Sequence, residues 1–126
     1  NPARFMELLD LLHDREQVLL YMRQVADENH GTINPLVDWV HLNWQLIESV
    51  LSSVQTNALQ QVLQLMWSRL STHAKGFPDL FIQRGDEYAF VEVKSPNDHL
   101  SAIQHFWHDS FAELGIPVSL IRVVWK

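Results

Sequence analysis

The chain has 126 residues, and 47% of them are hydrophobic, including 5 Trp and 6 Phe. This content is enough for one compact domain with a packed core. The absence of cysteine excludes a disulfide framework and thiolate zinc sites, and no stretch approaches the roughly 18 apolar residues that a membrane span needs. The formal net charge of −6 argues against a nucleic-acid binder that works by bulk positive charge.

The start of the chain predicts two helices. Apolar residues recur every three or four positions over residues 5–12, which is typical of a helix with one buried face. Asp14, together with Gln17, resembles a capping box at the start of a second helix. We expect this second helix to end near Gly31.

Two further helices are expected before the sequence changes character. Asn34 followed by Pro35 is typical of an N-cap and a first-turn proline, and predicts a third helix that runs to about Ser53. Thr56 is the expected N-cap of a fourth helix that continues to Leu70. The inner faces are expected to hold Leu36, Val40, Trp44, Ile47, Leu51 and Val54 of the third helix, and Leu59, Val62, Leu63, Met66, Trp67 and Leu70 of the fourth.

A hairpin is predicted after Gly76, where the hydrophobic period becomes that of strands. Leu80, Phe81 and Ile82 form a short buried-strand pattern that stops at the turn 84–86, and residues 88–94 are expected to pair back on it. The first half of the chain is therefore helical, and the second half begins with sheet.

A helix and a strand complete the pattern. Asp98 is the expected N-cap of a helix to Leu114, and Gly115 ends this helix. Residues 118–125 predict a final strand, parallel to a neighbour because a helix crosses between them. The inward side chains are expected to be Leu100, Ile103, Trp107, Phe111 and Leu114. We expect one domain with a helical part, 1–72, and a motif-bearing core, 73–126.

Three ionisable residues come together at one end of the predicted hairpin. Glu92 and Lys94 are two positions apart, so on a strand they share a face while Val91 and Val93 pack the other. A charged pair on an apolar strand is costly to bury. A hard divalent cation bound by Asp79 and Glu92 would remove the repulsion between the carboxylates and explain that cost.

The same stretch carries a resemblance to a known family. Pro78-Asp79 followed by Glu92-Val93-Lys94 resembles the PD-(D/E)XK nuclease motif, and the longer strings over 76–80 and 91–98 resemble its VRR-NUC branch. Leu100, Gln104 and Trp107 are similar to the helix that follows the active site in that branch, and the end of the chain is similar to its Fanconi-associated members. The resemblance implies an α/β fold with a restriction-endonuclease-like mixed sheet flanked by helices.

The resemblance also implies roles for single residues. Asp79, Glu92 and the Val93 carbonyl would bind Mg²⁺ or Mn²⁺, Lys94 would orient or activate the attacking water, and Gln104 would point into the site or face solvent. The implied activity is flap endonuclease and 5′–3′ exonuclease cleavage of branched or flap DNA in interstrand crosslink repair. The implied protein is intracellular, nuclear in a eukaryote or cytoplasmic in a bacterium.

One acidic ligand of the family pattern has no motif in this chain. The candidates are Glu7, Glu16 and Glu48. The chain begins with Asn1 and not Met, so we expect a piece of a longer chain with additional DNA-binding domains, and the missing glutamate can lie upstream.

Two alternative functions remain at this point. One is a dimeric nuclease that resolves Holliday junctions, which small members of the same branch resemble. The other is a catalytically silent module that binds DNA or a partner protein. An intact motif argues against the silent module, and the extra N-terminal helices argue against the small dimer.

Several residues have a plain structural interpretation beside a functional one. Asp79 could be a turn residue, and Glu92 and Lys94 a salt-bridged solvent face. A zinc site at His105, His108 and Asp109 is less expected than a solvated helix face, because no further ligands are indicated. Core packing is favoured over base stacking for Trp39, Trp44 and Trp67. A phosphate contact and a helix-dipole role are both open for Arg69, His73 and Lys75.

Overall fold

The computed structural model describes residues 2–33 and 41–124. The chain divides into two compact units, 1–52 and 53–126. The helices are α1 (Pro2–Asp10), α2 (Arg15–Glu28), α3 (Trp44–Ser53), α4 (Thr56–Ser68), α5 (Leu70–His73) and α6 (Ala102–Glu113), and the strands are β1 (Leu80–Arg84), β2 (Glu87–Lys94) and β3 (Val118–Arg122). The prediction of one domain with parts 1–72 and 73–126 stays a prediction.

The helices of the first unit begin much as expected. The Asp14 side chain accepts a hydrogen bond from the Gln17 backbone N–H at 3.2 Å, which confirms it as the N-cap of α2. This helix ends at Glu28, slightly before the expected Gly31. The apolar side chains that α1, α2 and the turn between them bury are Leu9, Leu12, Val18 and Ala26.

Helix α3 begins later than predicted. Residues 41–43 are not helical, and α3 begins at Trp44, where the Asn43 side chain accepts a hydrogen bond from the Leu46 N–H at 3.0 Å. Asparagine side chains compete for backbone groups in a helix interior and favour this capping position. The predicted cap at Asn34–Pro35, with Leu36, Trp39 and Val40, lies outside the described residues.

Helix α4 differs from the prediction at both ends. Its N-cap is Gln55, which makes no capping bond through its side chain, and Thr56 is already helical. The helix ends at Ser68, because the Leu65 carbonyl is occupied by the Ser68 hydroxyl at 2.7 Å and lies 2.6 Å from the His73 ring Nδ1. An α-helix would give that carbonyl to Arg69, whose φ of −148° leaves the helical region.

The buried face of α4 is rotated from the predicted one. Ala58 and Val62 are buried, whereas Leu63 and Trp67 are 37% and 52% exposed. The prediction followed the large apolar side chains, but the small side chain of Ala58 lies on the packed face. The prediction that Trp67 is a core residue is therefore wrong.

The second unit contains a mixed sheet of three strands in the order β1-β2-β3. The predicted mixed sheet, with a hairpin and a final parallel strand, is confirmed. β1 pairs antiparallel with β2 through a turn in which Gly85 has φ +60°, and β2 pairs parallel with β3. The predicted last residue of β3, Trp125, lies outside the described residues, and the strand ends at Arg122.

The prediction that β1 is a buried strand is wrong. Leu80 and Ile82 lie on one face of the sheet and are each 50% exposed, and β1 is the edge strand of that sheet. Val93 shares that face and is 36% exposed, whereas Val91 is buried. The opposite face carries Phe81 and Phe90, whose rings contact each other at a centroid distance of 5.2 Å.

Helix α6 packs on the face that carries Phe90. Trp107 and Phe111 are fully buried, and the Phe111 ring centroid lies 5.0 Å from that of Phe90. Trp107 also donates a hydrogen bond from its ring nitrogen to the His73 carbonyl at 2.7 Å. These contacts fix the helix over β2, at the end where the ionisable residues lie.

The start of α6 is not at Asp98. The helix begins at Ala102 with Ser101 as N-cap, while Asp98 lies in a turn where its N–H donates to the Ser95 carbonyl at 3.2 Å. A full capping box between Ser101 and Gln104 outweighs the single side chain of Asp98 as a helix start. The helix ends at Glu113, followed by Gly115 at φ +72°.

Ile103 of α6 is half-buried and lies against the backbone of Gly76, shortly before β1. A Cβ atom added at Gly76 would overlap the side chain and backbone of Ile103. α6 therefore rests directly on Gly76, which only glycine allows at this approach. In the described parts of the chain, no helix is both long and apolar enough to cross a bilayer.

Candidate active site

The open end of the hairpin brings Asp79 next to Glu92. The strand register places Leu80 opposite Val91. Asp79, which directly precedes β1, therefore lies beside Glu92 on the same face. The carboxylate of Asp79 accepts a hydrogen bond from the Val93 N–H at 3.1 Å. The strand register and this hydrogen bond together place the two carboxylates side by side.

Glu92 is a buried carboxylate with one unsatisfied oxygen. The residue is 3% exposed, and its Oε1 accepts a hydrogen bond from Gln104 Nε2 at 2.8 Å. Its Oε2 is buried and has no hydrogen-bond partner among the residues that the structure describes. Burial raises the pKa of Glu92, and the neighbouring Asp79 carboxylate raises that pKa further, while the Lys94 ammonium opposes both effects.

Gln104 has its side-chain orientation fixed from two directions. Its side-chain Oε1 accepts a hydrogen bond from the Ser101 backbone N–H at 2.9 Å, and the Gln104 backbone N–H donates to the Ser101 hydroxyl at 3.2 Å. Because the amide oxygen is used by the helix cap, the amide nitrogen must face Glu92. Gln104 thus points into the site and serves as donor to Glu92.

Lys94 lies at the end of β2 with its side chain only 13% exposed. Its Nζ is 3.9 Å from Oδ2 of Asp98, which is 58% exposed. The structure therefore gathers Asp79, Glu92, Lys94 and Gln104 at one end of the sheet, where a buried anion, a second carboxylate and a cation meet.

This arrangement fits a hard divalent cation. Mg²⁺ and Mn²⁺ prefer oxygen ligands, and the unsatisfied Oε2 of Glu92 beside the Asp79 carboxylate is a donor pair of that kind. Across residues 2–33 and 41–124, no group of three or more His, Cys, Asp or Glu side chains is placed to hold a metal ion. The protein side chains at this end therefore offer two carboxylates.

The three candidates for a further acidic ligand all lie in the first unit. Glu7 pairs with Arg4 at 3.1 Å, and Glu48 pairs with Arg23 at 3.5 Å. Glu16 is an exposed residue in the first turn of α2. Their proposed role as ligands stays a prediction.

The basic residues before the hairpin and the tryptophans were the other candidates for DNA contacts. The His73 ring is buried and stacked on Phe106 at 4.6 Å, whereas Arg69 and Lys75 are exposed. Trp44 lies under the Arg23 guanidinium at 4.5 Å, and Trp39 lies outside the described residues.

The histidines of α6 do not form a zinc site in the described part of the chain. His105 and Asp109 are exposed, whereas His108 Nε2 is buried without a hydrogen-bond partner among the described residues. Burial lowers the pKa of His108, and the nearby His105 lowers it further. The Asp109 carboxylate opposes both effects by raising the pKa of His108.

Sequence reasoning missed three residues that support the site. Ser101 could have been found, because Ser101 and Gln104 have the spacing of a capping box. The sequence predicts Asp98 as a helix cap, whereas in the structure it is the ion-pair partner of Lys94. Arg122, which contacts the loop after β2, has no local sequence signal.

Known proteins are similar to this chain along most of its length. The Fanconi-associated nuclease 1 of Homo sapiens is 28% identical over 121 residues, covering 92% of this chain and 12% of the relative. That of Danio rerio is 30% identical over 102 residues, covering 79% of this chain and 10% of the relative. The chain thus spans only a small fraction of the curated relatives it matches.

Solved structures give the same result. The crystal structure of paFAN1 bound to 2nt 5′ flap DNA with gap matches 94% of this chain and 22% of that chain, with a TM-score of 0.79 and 27% identity. The fold is therefore the α/β nuclease-domain fold expected from the sequence. The model of the VRR-NUC domain matches residues 14–125, and this chain accordingly belongs to the VRR-NUC family.

Proposed function

We propose that this chain is the catalytic domain of a metal-dependent, structure-selective DNA nuclease that hydrolyses phosphodiester bonds. The observation that carries the proposal is the burial of the Glu92 carboxylate beside Asp79. A carboxylate that is 3% exposed, lies beside a second carboxylate and keeps one oxygen unsatisfied is costly unless a cation binds it. Membership of the VRR-NUC family supports the same activity.

The metal ligands in this proposal are Asp79, Glu92 and the Val93 carbonyl. In an antiparallel pair, the N–H and C=O of one residue point toward the same neighbouring strand. Since the Val93 N–H donates to Asp79, the Val93 carbonyl faces the same side as that carboxylate. Bound there, Mg²⁺ or Mn²⁺ would polarise the phosphate and lower the pKa of water.

Lys94 and Gln104 have different roles in the proposal. The Lys94 ammonium orients the attacking water and stabilises the negative charge that develops on it. Gln104 holds Oε1 of Glu92 by its 2.8 Å hydrogen bond, so that Oε2 stays directed at the cation. Neither residue needs to ligate the metal.

The proposed substrates are flap and branched DNA, with flap endonuclease and 5′–3′ exonuclease activity in interstrand crosslink repair. The paFAN1 structures are described as bound to 5′ flap DNA with gap, and the curated relatives are Fanconi-associated nucleases. The net charge of −6 gives this domain little long-range attraction for DNA. We therefore propose that other parts of a longer protein supply most of the DNA affinity.

A cleavage assay with the complete protein tests the proposal. Labelled 5′ flap, Holliday junction, duplex and single-stranded DNA are incubated with Mg²⁺, Mn²⁺ or a chelator. We expect flap cleavage that needs the metal and is lost in Asp79→Ala. Asp86→Ala is the matched control, because Asp86 lies in the exposed turn at the other end of the hairpin. Full cleavage in the chelator, or by Asp79→Ala, contradicts the proposal.

A further inference from the structure

The loop after β2 is held by one side chain of β3. The Nη1 atom of Arg122 donates to the carbonyl oxygens of Ser95 at 3.0 Å, Pro96 at 3.4 Å and Asp98 at 2.5 Å. Three carbonyls of one four-residue loop therefore converge on a single guanidinium nitrogen. Hydrogen bonds to a charged donor are stronger than those between neutral groups.

The backbone of the loop cannot provide this attachment itself. Among the residues that the structure describes, the last backbone bond between the two strands runs from the Val123 N–H to the Lys94 carbonyl at 2.8 Å. Beyond it, Pro96 has no N–H to continue the ladder. The Arg122 side chain thus takes over where the pairing of β2 and β3 ends.

This loop carries the ion-pair partner of Lys94. The Asp98 carboxylate lies 3.9 Å from the Lys94 ammonium, and the Asp98 carbonyl is one of the three acceptors of Arg122. Lys94 and Arg122 are register partners on neighbouring parallel strands. Two cations side by side repel each other, and here each is directed to a different part of the same loop.

We propose that Arg122 is a positioning residue for Lys94, acting through the loop 95–98. It fixes the loop, the loop fixes Asp98, and Asp98 holds the ammonium of Lys94 at the open end of the hairpin. The inference rests on the proposed catalytic role of Lys94 and adds a residue to it. Arg122 itself does not touch the carboxylates of the site in this scheme.

The test uses Arg122→Met, Arg122→Gln and Arg122→Lys in the complete protein, with Arg84→Met as control. Arg84 is an exposed arginine on β1 of the same sheet, so its loss removes the same charge without touching the loop. We expect Arg122→Met to lower kcat for flap cleavage by about 10- to 100-fold, with KM within about twofold. Arg122→Lys has an ammonium with three N–H donors for the loop carbonyls, so its kcat should lie between those of the parent and Arg122→Met.

Hydrogen exchange of the Asp98 amide gives a readout that is independent of activity. This amide donates to the Ser95 carbonyl inside the loop, so its exchange reports whether the loop is fixed. We expect kcat and Asp98 protection to fall together across the Arg122 variants that retain the thermal unfolding midpoint of the parent. A fall in one without the other, or no fall in either, overturns the inference.

Two further outcomes separate this inference from the proposed function. A rise in KM with unchanged kcat and unchanged Asp98 protection identifies Arg122 as a phosphate contact and overturns the positioning role. Lys94→Ala is assayed in parallel. If Lys94→Ala cleaves at the parental rate, the proposed function of Lys94 fails. If it is inactive while Arg122→Met is fully active, only the role of Arg122 fails.

Discussion

The two ends of the β1–β2 hairpin carry similar residues in different surroundings. At the turn end, Arg84, Asp86 and Glu87 are exposed. At the open end, Glu92 is 3% exposed and the side chain of Lys94 is 13% exposed. Helix α6 lies over the open end, where Gln104 contacts Glu92.

The difference between these ends is solvation. A carboxylate in water gains little from a nearby cation, because water screens the interaction and already solvates the charge. A buried carboxylate has lost that solvation and interacts strongly with any cation that reaches it. The covering helix, and not the residue types, distinguishes the candidate metal site from an ordinary charged turn.

The largest expected effect compares one glutamate at each end. Glu92→Ala removes a proposed metal ligand and should lower metal-supported flap cleavage by about a thousandfold. This corresponds to a loss of about 4 kcal/mol of transition-state stabilisation, because each tenfold change in rate is about 1.4 kcal/mol. Glu87→Ala should leave cleavage unchanged. Single-turnover rates with saturating Mn²⁺ measure both, and equal rates for the two variants would show that the open end is not the site.

Lys94→Ala separates catalysis from metal binding. Cleavage should fall by about a hundredfold or more, because the variant loses the ammonium that is proposed to stabilise the attacking water. Mn²⁺ binding should be retained or strengthened, because an ammonium does not ligate a cation and its removal reduces repulsion. Calorimetric titration with Mn²⁺ beside the cleavage assay checks this. Loss of Mn²⁺ binding in Lys94→Ala would mean that the lysine supports the site structurally.

Gln104→Glu tests the hydrogen bond to Glu92 without removing the helix cap. Glutamate can accept from the Ser101 N–H as glutamine does, but it has no N–H to donate to Glu92. We expect cleavage to fall by about 10- to 100-fold, with an unchanged helix content by circular dichroism. The control Gln83→Glu changes an exposed glutamine on β1 and should have no effect on cleavage.

Glu92→Gln should stabilise the fold in the absence of divalent metal, by about 1 kcal/mol or more at neutral pH. The pKa of Glu92 is raised in the folded state, so its contribution to stability is present below the ordinary pKa of about 4.3 and is lost as pH rises through the raised value. The advantage of the variant should thus grow between mildly acidic and neutral pH. Urea unfolding at several pH values in a chelator measures it, and a less stable variant at neutral pH would contradict the burial cost.

The sequence predicted the elements of the second unit better than their exposure. The hairpin, the crossover helix and the parallel β3 follow from alternating apolar residues, a tight turn and a helix between two strands. The exposure of Leu80 and Ile82 was not predictable, since it depends on which strand forms the edge of the sheet. That is a property of the whole sheet and not of the five residues of β1.

The candidate site was predictable as far as local spacing reaches. Asp79, Glu92 and Lys94 meet because the strand period and the turn length place them together. The orientation of Gln104 depends on its capping box with Ser101, whose spacing is present in the sequence although Asp98 is the predicted N-cap. The contacts of Arg122 join residues more than twenty positions apart, and no short-range pattern encodes them.

Gly76 sets a limit on how this site can change over evolution. Helix α6 lies against a position where a single added methyl group would overlap Ile103. Any side chain there must push away the helix that carries Gln104. A mutational scan of position 76 would therefore record losses of activity that arise from the spacing of backbones, at a residue that has no functional group of its own.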